Sequence, residues 1–221
     1  MPKHSTALAR LLPLLLAACS AAPPEEQPLE VFDRPDLGHH FGEVEGAFVL
    51  LDPQAGRLIR YNAERAETRF LPASTFKIPN TVIALEPGVA SGADFALSRD
   101  TALAPAEAWW PASWREGHTL RTALPASVVW YYQELARRIG AERMQAYLDR
   151  FEYGNRDISG GIDRFWLDGG LAISPVEQVR FLERLYRGEL GVSEETTALV
   201  KELLVLEETP TFRLSGKTGW A

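Results

Sequence analysis

Strand character at both ends of the chain, with helical periodicity between them, is the feature that most constrains the fold. GAFVLLD (46–52) and RLIRYN (57–62) are short β-rich runs, and the PQAG between them predicts a hairpin. TFRLSGKTGWA (211–221) returns to strand character. Between these ends, SVVWYYQELARRIG (127–140) has helix periodicity and a terminal glycine, and AERMQAYLDRF follows as a second helix. Ser174-Pro175-Val176-Glu177 is a capping box with proline at the first helical position, opening a helix that runs toward Gly188. SEETTALVKELLVLEE (193–208) reads as helix throughout. The expected fold is therefore α+β: an antiparallel sheet built from both termini, with a helical lobe inserted. The sheet part covers about 40–70 and 208–221 and the lobe about 75–207, so 31–221 forms one domain. A cleft between sheet and lobe is the natural ligand site.

The first residues are of another kind. Lys3 and Arg10 precede the apolar run LLPLLLAA, and Cys19 follows it. A charged start, a short apolar stretch and small residues predict an export signal over 1–19. Leu16 to Cys19, LAAC, also has the form of a bacterial lipoprotein box, which would anchor the chain by lipid on Cys19; a plain cleaved signal is the alternative. The expected location is the periplasm or an outer-membrane anchor. SAAPPEEQPLE (20–30) reads as a flexible tether. Cys19 is the only cysteine, so neither an internal disulfide nor a catalytic thiol is available to the domain. The net charge of −7 excludes a phosphate-binding surface, and no nucleic-acid partner is expected.

The chemistry gathers around LPASTFKIPN (71–80), where Ser74 and Lys77 stand three apart among apolar residues. On a helix that spacing puts both side chains on one face. Pro79 sits best near a helix start, which places Ser74 close to the N-terminus, where backbone N–H groups favour negative charge. A serine there can attack a carbonyl if it has a base. In water only about one lysine in 10³ is neutral at pH 7, but burial disfavours the charged form. The same spacing also describes an ordinary solvated helix face. Three downstream signals are each weak alone. Ser127 is a helix N-cap or a second hydroxyl in the site. Tyr153-Gly154-Asn155, taken alone, reads as a helix-ending turn. Lys217-Thr218-Gly219 is a strand end or a surface that lets a ligand carboxylate near the backbone. The histidines (His4, His39, His40 and His118) have no zinc spacing, and the His39–His40 pair reads as surface.

The order S-T-F-K, S-V-V, Y-G-N, F-W-L with Trp166 and K-T-G resembles the class D, oxacillinase-type serine β-lactamases from about Val31 to Ala221. The S-x-V form, the Y-G-N triplet and DRFWLDGGLAISPVEQVRFL (163–182) point to class D within the wider β-lactamase and penicillin-binding fold. The resemblance implies hydrolysis of β-lactams through an acyl-enzyme on Ser74. It implies no metal or organic cofactor, only CO₂ held as a carbamate on Lys77, which becomes the general base. Phe76, Ile78, Val128 and Val129 would keep that amine dry, and the Trp166 indole would donate to the carbamate. Ser127 would relay a proton to the leaving nitrogen, supported by Lys217. Thr218, Gly219, Trp220 and Val129 would bind substrate, the N–H groups of Ser74 and Trp220 forming the oxyanion hole. Tyr153 and Asn155 would shape the cleft. The family continues past K-T-G with further strands, a basic residue and a C-terminal helix that the 221 residues do not contain; without them poor stability and weak hydrolysis are expected, and with a longer reading frame they are not. A β-lactam sensor domain, a D,D-peptidase and an inactive relative remain as alternatives.

Overall fold

A computed structural model describes residues 28–220. The expected signal with Cys19, most of the tether, and Ala221 lie outside that range. The N-terminal part is a three-stranded sheet of β1 (Glu30–Asp33), β2 (Phe48–Asp52) and β3 (Arg57–Tyr61), ordered β1-β3-β2. The PQAG turn joins β2 to β3 as the sequence predicts. Asp52 Oδ1 accepts from the N–H groups of Gln54 (3.1 Å) and Ala55 (3.0 Å), and Gly56 turns the chain at φ +63°. Leu50 then faces Ile59 across an antiparallel ladder. β1 joins on the other side of β3 in parallel, Phe32 opposite Ile59, so the sheet starts within the stretch read as tether.

Asn62 caps the short α1 (Ala63–Glu67), and the chain then enters the helical body. α2 (Lys77–Leu85) is buried from Lys77 through Ala84. α2 is thus a central helix, buried together with its polar Lys77, Asn80 and Thr81, and it packs against α4 (Val129–Ile139) and α7 (Glu194–Leu203). Between α2 and α4 lie the two-stranded β4 (Ala96–Leu97) with β5 (His118–Thr119), and α3 (Leu120–Ala123). α5 (Ala141–Phe151) follows α4 directly. α6 (Pro175–Arg187) opens on the predicted box: Glu177 N–H donates to Ser174 Oγ (3.2 Å) and Ser174 N–H to Glu177 Oε2 (2.9 Å). Gly188 ends it at φ +73°. Val176 of α6 meets Leu58 and Ala66, covering one face of the N-terminal sheet.

Two boundaries differ from the sequence reading. The helix expected over 193–208 ends at Leu203, and β6 (Val205–Glu208) pairs antiparallel with β7 (Arg213–Ser215). LLVLEE satisfies a helical period and a strand equally well, and the partner downstream decides between them. The sheet part therefore begins at Val205. The α+β architecture holds, with strands from both ends, but among the described residues the two ends form separate ladders. Lys217-Thr218-Gly219 lies beyond β7, not within it.

Candidate active site

The chain approaches Ser74 through Leu71-Pro72 and a single 3-10 turn, Ala73–Phe76, that runs straight into α2. Ala73 sits at φ +47°, a strained value for a residue with a side chain, immediately before the serine. Thr75 ties the turn down: its N–H and its hydroxyl both donate to Pro72 O, at 3.1 and 2.7 Å. Pro79 falls in the first turn of α2, where an N–H is not needed. Ser74 and Lys77 meet as the spacing predicts, Lys77 Nζ donating to Ser74 Oγ at 2.8 Å.

Lys77 is fully buried. Burial, and after it the nearby charge of Lys217, together push its pKa down to about 7. About half of such amines are neutral at pH 7, against about one in 10³ in water. The face of the Tyr132 ring lies 5.5 Å from Nζ and partly offsets the loss of water for the charged form. Tyr132 is itself held by Thr81, whose hydroxyl donates to Lys77 O (2.7 Å) and stands 2.9 Å from the Tyr132 hydroxyl. Sequence reasoning missed both residues. The available signal was Asn80-Thr81, a polar pair about one turn after Lys77 on a helix whose remaining residues are apolar.

The third wall is a loop fastened by Tyr153-Gly154-Asn155. Gly154 has φ +53°, and a Cβ there would run into the carbonyl oxygen of Ala172, so only glycine fits. Asn155 closes the loop across its base. Its N–H donates to Ala172 O (2.9 Å), its amide Nδ2 to Gly170 O (2.7 Å), and its Oδ1 accepts from Ala172 N–H (2.9 Å). Tyr153 is buried, donates to Gln178 Oε1 (2.9 Å) and sets its ring edge-on to Phe76, 5.8 Å between centroids. Phe76, next to Lys77, stacks on Trp166 at 5.3 Å. The loop thereby fixes Trp166, which is fully buried and whose indole N–H has no partner among the described residues. An unmet buried donor costs about 1–3 kcal/mol, and an indole N–H can only donate, so the position suits an anionic acceptor.

Lys217 is half-buried, which lowers its pKa, and its Nζ donates to Thr218 O at 3.0 Å. Gly219 passes close to the nucleophile turn: a Cβ on it would stand 2.9 Å from Pro72 O and 3.0 Å from the Thr75 methyl. Thr218 and Gly219 are exposed, and Trp220 is 92% exposed. Val128 is buried, and Val129 is half-buried at the head of α4. Ser127 is not the helix N-cap. Val128 holds that position, and Ser127 lies before it at φ +56°. His118 is a satisfied core residue, with Nε2 donating to Ser113 O (2.7 Å) and Nδ1 facing the Thr122 hydroxyl (3.0 Å), while His39 and His40 are exposed.

Residues 46–221 match the penicillin binding protein transpeptidase domain family. The chain is 43% identical over 178 residues to the β-lactamase OXA-10 of Pseudomonas aeruginosa, covering 80% of this chain and 65% of that one. It therefore spans about two-thirds of the length of that relative. The regulatory protein BlaR1 of Bacillus licheniformis is 37% identical over 176 residues, 80% of this chain and 28% of its own. The crystal structure of a class D β-lactamase from Bacillus subtilis superposes with a TM-score of 0.78 at 40% identity, covering 83% of this chain and 75% of that one. With a buried lysine against the serine of S-x-x-K and a buried indole beside them, these likenesses make the chain a member of the class D β-lactamases within the penicillin-binding transpeptidase family.

Proposed function

We propose that this protein hydrolyses β-lactams through an ester formed on Ser74. The observation that carries the reading is the fully buried Lys77 amine, with its pKa near 7, 2.8 Å from the Ser74 hydroxyl. The amine and the unpartnered Trp166 N–H fit a lysine carbamate. Formed from CO₂ on Nζ, that group would supply a carboxylate to take the Ser74 proton and later to activate water.

Everything else falls to the chain's own groups. Ser74 Oγ bonds to the ring carbonyl carbon and the strained C–N bond breaks. The N–H groups of Ser74 and Trp220 hold the oxyanion as it forms. Ser127 passes its proton to the leaving nitrogen and takes up in its place the proton that Ser74 lost, a relay that the positive charge of Lys217 favours by stabilising the Ser127 oxygen as it gives its proton up. Thr218, Gly219 and Val129 bound the substrate, with the carboxylate toward Thr218. Phe76 and Val128 exclude water from Lys77, and Trp166 orients the base by donation. Residues 31–221 act as one catalytic body. The charged start, the apolar run and the LAAC segment that ends at Cys19 support export with a lipid anchor.

The likeness to BlaR1 favours one second reading, a sensor domain that acylates and stays acylated. Steady-state assay with a chromogenic cephalosporin separates them. Sustained turnover supports hydrolysis, and a single stoichiometric burst supports sensing. Absence of any covalent adduct on Ser74 by mass spectrometry would refute both.

A further inference from the structure

Ser127 is held at φ +56°, a left-handed conformation that residues with side chains avoid. Something must fix it there, since strain of this kind persists only where the surroundings over-determine it. The turn itself contributes two bonds: Ser127 N–H donates to Leu124 O (3.2 Å), and Val128 N–H reaches back five residues to Ala123 O (3.0 Å). Two buried tryptophans close the arrangement from outside the turn. The Trp114 indole N–H donates to the carbonyl of Ala126, the residue just before Ser127, at 2.9 Å. The Trp130 indole N–H, from the first turn of α4, donates to the Trp114 backbone carbonyl at 2.7 Å. The chain from 126 to 130 thus forms a circuit: Trp130 grips the Trp114 backbone, and Trp114 grips the peptide that carries Ser127. Both rings are buried, so neither bond exchanges freely with water.

We infer that Trp130 and Trp114 are positioning residues that hold Ser127 in the left-handed conformation from which its hydroxyl serves the reaction. The inference rests on the proton-relay role given to Ser127 above. Neither indole touches substrate. Each acts through the Ala126–Ser127 peptide.

Two readouts separate the clamp from the relay. The first is amide hydrogen exchange at Val128, whose N–H is bonded only while the turn holds. The second is the rate of Ser74 acylation in a single turnover with excess penicillin, for wild type, Trp130→Phe, Ser127→Ala and the double variant. The expected result is exchange at Val128 at least about tenfold faster in Trp130→Phe, with acylation slowed about tenfold and little change in KM. In the Ser127→Ala background Trp130→Phe should have no further effect on acylation, because both act through one hydroxyl. Unchanged Val128 exchange in Trp130→Phe would overturn the clamp. Additive effects in the double variant would overturn it as a positioning device for Ser127. If Ser127→Ala acylates at the wild-type rate, the relay role falls, and the exchange data alone decide the clamp. Should Trp130→Phe fail to fold, benzothienylalanine at position 130 keeps the shape of the indole and removes only the N–H.

Discussion

The two sides of the site are built by opposite means. The Lys77 side is the centre of the molecule, where α2 is buried along its length and Phe76, Tyr153 and Trp166 pack ring against ring. The Lys217–Trp220 side lies past the last strand and is largely exposed. A dry interior is what leaves a lysine amine largely uncharged at neutral pH, whereas a surface that admits and releases substrate has to stay open. The division predicts that side-chain changes on the Lys77 side alter the chemical steps, and that on the open side a change at Thr218, which bounds the substrate without a part in the chemistry, alters mainly substrate capture.

Lys77→Ala breaks the comparison hardest. It should reduce turnover by more than about 10³-fold with the fold intact, checked by steady-state kinetics and circular dichroism. Gly154→Ala comes next. It does not touch the reacting groups, yet its Cβ collides with Ala172 O and so frees the loop that fixes Trp166. A loss of about 3 kcal/mol in unfolding free energy by denaturant titration is expected, with slowed deacylation. Trp166→Phe keeps most of the ring and removes the N–H. It should slow deacylation about tenfold or more while acylation changes less, and added bicarbonate should recover part of the loss. On the open side, Thr218→Ala should raise KM a few-fold and leave kcat nearly unchanged, because it removes a contact made equally before and during the reaction.

The buried lysine also gives the pH dependence a sign. Lys77 binds a proton with a pKa of about 7 in the folded chain and 10.5 as its ordinary value. Between those values the unfolded chain holds more protons, so the Lys77 contribution makes stability rise with pH from about 7 to 10.5 and fall to its floor below 7. Lys77→Met removes the buried amine, and should raise Tm at pH 6 by a few degrees and flatten this dependence, at the expense of activity.

Much of this was legible in the chain. S-x-x-K spacing, Pro79 and the apolar neighbours placed Ser74 and Lys77 together on a buried turn. The Ser174/Glu177 box and PQAG carry their own local chemistry, so they fold as read. What the sequence hid depends on distant partners. LLVLEE became a strand from Val205 because Arg213–Ser215 lies beside it. Ser127 has the composition of a cap, and its left-handed backbone follows from two indoles, one of them thirteen residues upstream. Thr81 and Tyr132 meet across α2 and α4, a contact no local pattern announces.

The reaction depends on a Lys77 amine dry and uncharged enough near neutral pH to take up carbon dioxide. Carbon-13 NMR of the protein in labelled bicarbonate tests it directly. One slowly exchanging carbamate signal is expected at pH 8, absent from Lys77→Ala and lost together with turnover when the sample is degassed at low pH. A spectrum identical for wild type and Lys77→Ala, with turnover unaffected by degassing, would contradict it.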